Sequence, residues 1–446
     1  MKKVDMTHGP IGKKTLIFAL FLGATGLLQQ LFNAIDTVIM GQFVGKEAMA
    51  AVGSNGPVVG FIVTFFLGIS LGANVVISQL TGKNDKAGIQ RAVHTSVLFA
   101  FLCGVVMAAL GEYLAKPVLQ LLMVPEELMP LAVEYLQTIV LAFPGILLYN
   151  FISAIFRSQG DTRTPLLCLL FSGIIKVIIS YVLVVHFGQG VGAVAISTMC
   201  ATFLSSLMLL VLLCYTKMAI RFHWSHLTID WMLLREILRI GSPAGLQSAV
   251  FCLSNIVIQA AINSLGTDVV AASAAAFNLE ILAYIFVNAF GQTCTTFVGQ
   301  NYGAGDWKRC RRVGIITTWQ NLGITVVLCG VLIYFGVPML KLFNTDPAVV
   351  TYGLIRIRYI LYAEPLNLLI EMISGYLRGF GQSLLPALIV VGGICGSRII
   401  YVSTVFPQWH TFDGLMAVYP LSWFLTATAL VVLLFTVRKK YLKGNA

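Results

Sequence analysis

Displaced by 221 positions, the sequence falls into register with itself without a gap. Gly45 meets Gly266, Gln79 meets Gln300, Gly82 meets Gly303, Asp85 meets Asp306 and Arg91 meets Arg312. Further along, Pro117 meets Pro338, Pro144 meets Pro365, Arg157 meets Arg378, Gly160 meets Gly381 and Pro165 meets Pro386. Glycine frees the backbone and proline fixes it, so agreement at those residues requires two halves that fold alike. In a very apolar chain, such duplication points to a secondary transporter whose halves move about a central site.

The solvent follows from composition. Hydrophobic residues make up 58% of the chain and charged ones 11%, with a mean hydropathy of +0.88, whereas a soluble domain carries about 25% charged residues. Windows such as 97–110, 166–185 and 425–435 hold one charge or none. A spanning helix needs roughly 20 apolar residues, and charges, glycines and prolines cut this chain into about twelve such stretches. They start near Thr15, Ala51, Val93, Leu131, Leu166 and Gly192, then near Gly241, Ala272, Gly314, Leu354, Ala387 and Leu415. The alternating segments of a β-barrel are absent.

Six helices per half is an even number, so both halves enter the membrane from the same side and the repeats are parallel. The expected fold class is an all-α integral membrane protein, with twelve transmembrane helices in two six-helix lobes. The lobes are expected at 1–214 and 241–446, joined by a cytoplasmic linker at 215–240. Lys217, Arg221, Arg235 and Arg239, with Trp224 and Trp231, mark that linker as interfacial and its helical part as amphipathic.

With both termini placed in the cytoplasm, 22 of the 29 lysines and arginines fall on the inner side. Lys2, Lys3, Arg438, Lys439, Lys440 and Lys443 are among them. Lys46, Lys116, Lys341, Arg356 and Arg358 fall outside, and Lys176 and Arg398 within helices. This asymmetry fixes the orientation by the positive-inside rule. The net charge of +11 is spread over short loops, which argues against nucleic acid as a partner. The nine cysteines show no CxxC spacing and read as small apolar residues. No cleavable leader follows Lys2 and Lys3, so the first helix is expected to serve as its own signal. His223 and His226 lack nearby further ligands and read as solvated surface rather than a metal site.

Ionisable groups at membrane depth cost several kcal/mol each and are functional candidates by default. Six are expected there: Asp36, Lys176, Glu280, Glu364, Glu371 and Arg398. Four acids against two bases favour cations in a cavity they line. Gln29, Asn33 and Asp36 share a helical face and offer oxygen ligands to a proton or a small cation. The plainer reading is a carboxylate neutralised by another helix to hold the bundle together. Lys176 is the natural partner of Asp36, either structurally or in coupling. In the second half Glu364, Asn367 and Glu371 share a face, as do Glu280, Tyr284 and Asn288. Glu364 precedes Pro365, where a kink is expected to free a carbonyl. Arg398 is expected to neutralise one of these glutamates. The acids do not follow the repeat, for position 36 falls on Val257, 280 on Val59, 364 on Phe143 and 371 on Asn150.

These residues carry a resemblance to the multidrug and toxic compound extrusion (MATE) family of cation-coupled exporters, within the multidrug/oligosaccharidyl-lipid/polysaccharide exporter superfamily. The matching segments are DTVIMG at 36–41, AMAAVG at 48–53, GANVVISQ at 72–79, RSQGDTRTP at 157–165 and VGQNYGAG at 298–305. The resemblance implies two six-helix lobes in a V and a bacterial cytoplasmic membrane. It also implies efflux of amphipathic, mainly cationic compounds against inward protons or sodium, with Asp36 matching the family's coupling acid. Many relatives place Asn and Asp where this chain has Lys176 and Ser180, and one subgroup has Glu where Phe251 stands. The first-lobe oxygen cage is thus incomplete, which puts proton coupling ahead of sodium. Glu280 matches an acid found in part of the family.

The alternative within transport is export or flipping of a lipid-linked or polysaccharide precursor, which would want several basic groups in the cavity. Scattered histidines and unpaired loop acids argue against a membrane enzyme, and asymmetric acids argue against a channel. No P-loop is present, so an ion gradient must supply the energy. No cofactor is expected. The partners are small amphipathic cations and membrane lipids, and the chain is expected to act as a monomer. Alternating access is expected to bend helices near Pro57, Pro144, Pro243 and Pro365.

Overall fold

A computed structural model of the chain describes residues 5–122 and 124–443, with backbone alone at 46 and 437–443. Lys2, Lys3 and the side chains of Arg438, Lys439, Lys440 and Lys443 lie outside the described residues. The described chain is helical throughout, and no strand occurs among the described residues. The passes are α1 Ile11–Val44, α2 Lys46–Gly82, α3 Lys86–Leu121, α4 in two pieces (Met129–Val140 and Phe143–Ser158), α5 Arg163–His186 and α6 Val191–Tyr215. After them come α7 Trp231–Asn263, α8 Thr267–Gly303, α9 Trp307–Tyr334, α10 Pro347–Gly379, α11 Leu384–Thr404 and α12 Phe412–Thr436.

Among the described residues ten helices are long and apolar enough to cross a membrane, or eleven if the bent α4 counts as one span. The remaining pass is α10. At 33 residues it is ample in length, and Arg356, Arg358, Glu364, Asn367 and Glu371 are what lower its hydropathy. A helix that buries charges against its neighbours need not be apolar all round.

The duplication extends to the backbone. α2 and α8 are both 37 residues long and superpose in sequence from Lys46 on Thr267 to Gly82 on Gly303. Gly45 and Gly266, ahead of them, have φ of 120° and 106°, and Gly160 and Gly381 have φ of 88° and 81°. Such angles favour glycine strongly, which explains the matched glycines of the repeat. Asp85 caps α3 through the Gly88 N–H at 2.8 Å, and Asp306 caps α9 through the Arg309 N–H at 2.8 Å. One interhelical bond is also repeated with a different donor. Asn74 Nδ2 donates to the Ala154 carbonyl at 3.0 Å, and Thr295 Oγ1 to the Gly375 carbonyl at 2.9 Å.

The chain divides into two compact units, 1–5 with 24–245 and 6–23 with 246–446. α1 and α7 are each shared, because their first turns belong to one unit and the remainder to the other. In the first unit α2 and α3 pack on the second piece of α4, and α5 packs on α6. In the second, α8 packs along α10, which also meets α9 and α12. Glycines set the closest approaches. A Cβ on Gly72 would meet the Gly241 N at 2.7 Å and Cα at 2.9 Å, so α2 and the start of α7 touch backbone to backbone.

Of the four proline positions, only Pro144 marks a break. It opens the second piece of α4, which turns 45° from the first. α2, α7 and α10 run unbroken through Pro57, Pro243 and Pro365. A proline removes one hydrogen bond, and packing along both sides of α10 holds the helix continuous despite that loss. The linker also differs from expectation in one respect. A short turn at Trp224–His226 precedes α7, and the helical part expected within 215–240 is the first turns of α7 itself.

Replacing Gly72 by Val should therefore lower thermal stability by about 1–3 kcal/mol or prevent folding, whereas Gly53→Ala, open within 4 Å, should be neutral or stabilising. Size-exclusion thermal melts of the two variants in detergent would separate these outcomes.

Candidate functional site

Each unit holds a charge pair inside a membrane-spanning helix. In the first, Phe32 of α1 sits where a Cβ on Gly173 of α5 would stand. That missing side chain lets the helices close, and one turn further on each helix Lys176 Nζ donates to Asp36 Oδ2 at 2.5 Å. Both side chains are largely buried, at 9% and 16% exposure. The other carboxylate oxygen, Asp36 Oδ1, is buried without a hydrogen-bond partner, and so is Ser180 Oγ, one turn after Lys176. Gln29 and Asn33 are exposed on α1 and no hydrogen bond joins them to Asp36. The ammonium of Lys176, rather than an oxygen cage, holds the place beside this carboxylate.

In the second unit Arg356 of α10 grips Glu280 of α8 with two nitrogens, Nη2 to Oε1 at 2.5 Å and Nε to Oε2 at 3.2 Å. Such a fork is the strongest geometry for this pair. Sequence reading put Arg356 in an outer loop and gave a glutamate to Arg398. The structure corrects both. Arg356 is buried within α10, so it joins Lys176 and Arg398 and the expected surplus of acids shrinks. The missed signal is the helical register: Arg356 and Ile360 are four residues apart on the buried side, while Arg358 faces elsewhere.

Arg398 makes no ion pair among the described residues. It is fully buried, donates through Nη1 to Asn255 Oδ1 at 3.1 Å and through Nε to Ser422 Oγ at 3.4 Å, and stacks on Tyr419 at 4.5 Å and Phe251 at 5.3 Å. Its Nη2 has no partner. The π-helical turn Val391–Gly396 ends two residues before it, a distortion that recurs at functional positions. Phe251 is thus an aromatic support for this guanidinium.

Glu364 is buried and accepts from Asn367 Nδ2 at 2.8 Å. No salt bridge reaches Glu364 among the described residues, whereas Glu371 lies within electrostatic reach of the buried Arg378, two turns further along α10. Glu371 faces α8, its Oε2 lying 3.6 Å from where a Cβ on Gly291 would be. Tyr284 lies beside Asn288 and close enough to Glu364 and Glu371 to feel their charge, while Asn288 Oδ1 accepts from Gln292 at 2.7 Å. These residues form one polar stretch between α8 and α10. Asn150, the repeat partner of Glu371, only bonds back to the Ile146 carbonyl at 3.0 Å and joins neither cluster.

If the Asp36–Lys176 pair is matched as the geometry indicates, Lys176→Met alone should destabilise the protein by about 3 kcal/mol, and adding Asp36→Asn should restore most of that loss. A thermal-melt double-mutant cycle measures it; additive losses would contradict the pairing.

The sequence pattern of the MatE family matches this chain twice, at residues 22–182 and 243–402. Among similar proteins is "Probable multidrug resistance protein YpnP" of Bacillus subtilis, 28% identical over 86% of each chain. Another is "FAD transporter" of Shewanella oneidensis, 28% identical over 78% of this chain and 77% of its own. Among solved structures, an outward-facing multidrug resistance MATE family transporter aligns over 100% of this chain and 99% of its own, with a TM-score of 0.91 at 18% identity. A transporter of the MOP superfamily from Pyrococcus furiosus, described as having a binding pocket of reverse polarity, aligns over 99% of this chain and 98% of its own at a TM-score of 0.88 and 19% identity.

Proposed function

The chain belongs to the MatE family, and from that premise we propose that it exports small amphipathic compounds, mainly cationic, in exchange for inward protons. The observation that carries this reading is Asp36, whose Oδ2 is held by Lys176 while buried Oδ1 has no partner. A proton arriving on Oδ1 removes the charge that Lys176 answers. The ammonium must then find new solvation, and a buried cation left without a counter-ion is a strong drive for rearrangement. A sodium ion would have to displace Lys176 from the same carboxylate, which favours the proton. Glu364, which makes no ion pair among the described residues, offers a second place for a proton or for the positive end of a substrate.

The two loads oppose each other because both satisfy the same acids. An exchanger needs that antagonism, since each ligand must favour a different state of the protein. The family and the similar proteins support multidrug export as the general activity. They are bacterial, which supports the cytoplasmic membrane as its place, and the distribution of basic residues supports cytoplasmic termini.

A second reading, export of an anionic or lipid-linked compound, has one specific observation in its favour. Arg398 is a buried guanidinium with an unbonded Nη2 and no carboxylate partner, suited to a phosphate or carboxylate. A relative that carries the name FAD transporter fits this reading too.

Purified protein in liposomes should move ethidium under an imposed proton gradient and not under a sodium gradient alone. Asp36→Asn should lower the gradient-driven rate by roughly ten-fold or more while leaving the fold intact. Arg398→Gln should leave ethidium transport within about three-fold of wild type if the cationic reading is right. Proton-driven movement of flavin dinucleotide, lost in Arg398→Gln, would instead establish the second reading.

A further inference from the structure

We infer that Glu280, Phe277 and Tyr419 form a subsite for a planar organic cation, a guanidine or an amidine, whose place is taken here by the protein's own Arg356. The inference deepens the export of cationic compounds proposed above and rests on it. Around the Arg356 guanidinium stand the groups that recognise a delocalised cation. Glu280 of α8 accepts from two of its nitrogens, at 2.5 Å and 3.2 Å. Phe277, one turn earlier on α8, and Tyr419 of α12 each have the centre of their ring 5.9 Å from its Cζ. A carboxylate that takes two N–H bonds, with aromatic rings beside it, suits any flat cation that carries N–H groups. A metal ion asks for more oxygen ligands than this set provides.

Helix spacing leaves an approach on α8. Ala274, Phe277 and Asn278 are exposed there at intervals of three and four residues. Phe277 is 43% exposed while Arg356 is buried, and Glu280 follows Phe277 by three residues. Exchange of one such cation for another leaves the local charge unchanged. Arg398, the second cation on the Tyr419 ring, lies 4.5 Å from its centre and is bonded to Asn255 and Ser422. An arriving cation therefore meets no repulsion from Arg398 that Arg356 does not already meet. A displaced Arg356 also has an acid to go to. Glu364 stands about two turns along the same helix, makes no salt bridge among the described residues and is near enough to Glu280 to feel its charge. Glu371, Tyr284 and Cys329 are within its reach as well. A proton on Glu364 withdraws that acid from Arg356, so a proton there and a substrate at Glu280 oppose each other.

Stilbamidine, a fluorescent aromatic bis-amidine, tests the subsite when titrated into the whole chain in detergent, with its neutral bis-amide as control. Arg356→Gln removes the occupant and should tighten stilbamidine binding roughly ten-fold. Glu280→Gln should weaken it roughly ten-fold or more, and the bis-amide should bind to neither variant nor to wild type. An ion pair with only a structural role gives no gain in affinity when Arg356 is replaced, so unchanged or weaker binding by Arg356→Gln would overturn the proposal. Should that variant fail to fold, Arg356→Lys keeps a cation beside Glu280 but loses the fork. It should tighten binding about three-fold, and no gain there would overturn the proposal equally. The titration imposes no gradient, so the two readings fail separately. The binding pattern without proton-driven transport would remove the exchange and keep the subsite, whereas proton-driven ethidium transport without the pattern would remove the subsite alone.

Discussion

Lys176 can be carried in α5 because Asp36 lies opposite it on α1, and the two meet because Gly173 yields its space to the ring of Phe32. The order of cause matters. An ammonium alone in hydrocarbon is too costly to keep, so the helices must approach before the charge can be accommodated, and only a glycine permits that approach. The same logic holds in the second unit, where Arg356 and Glu280 share two bonds across helices that Gly291 and Gly375 let pack closely. Both pairs are matched tightly enough to be stable, yet each keeps a reason to open. Asp36 retains an unsatisfied oxygen, and Arg356–Glu280 stands near Glu364, a carboxylate that has no cation of its own.

The scaffold was legible in the sequence to an unusual depth. Matched glycines, prolines and caps 221 positions apart became matched helices with the same ends and the same turn angles. Periodicity also found the polar faces of α8 and α10, because i, i+3 and i+4 spacing is a property of one helix. What the sequence could not convey was depth and partnership, which are properties of two. Arg356 sits two residues from Arg358 in a stretch whose hydropathy resembles a loop, and nothing local distinguishes the one that turns inward. Arg398 met the opposite fate. Its lone position in an apolar run announced that it was buried, while its choice of Tyr419, Asn255 and Ser422 over a carboxylate depends on helices distant in sequence. The bend of α4 and the continuity of α10 diverge despite the shared Pro144 and Pro365, because neighbouring packing decides whether a proline breaks a helix.

Repetition of the backbone beside divergence of the charges has a physical reading. The hydrogen bond from α2 to α4 recurs from α8 to α10, though Asn74 has become Thr295 and Ala154 has become Gly375. The contact therefore accommodates either an amide or a hydroxyl donor at the same crossing. The ion pairs obey no such rule. Asp36 stands on the first helix of its repeat and Glu280 on the second, and their counterparts Val257 and Val59 could not replace them. Two equivalent frames thus carry inequivalent charges, and under the exchange proposed above that inequality lets each unit respond to a different ligand. A ligand bound equally in both states would shift nothing, so each unit's charges matter only through the state they favour.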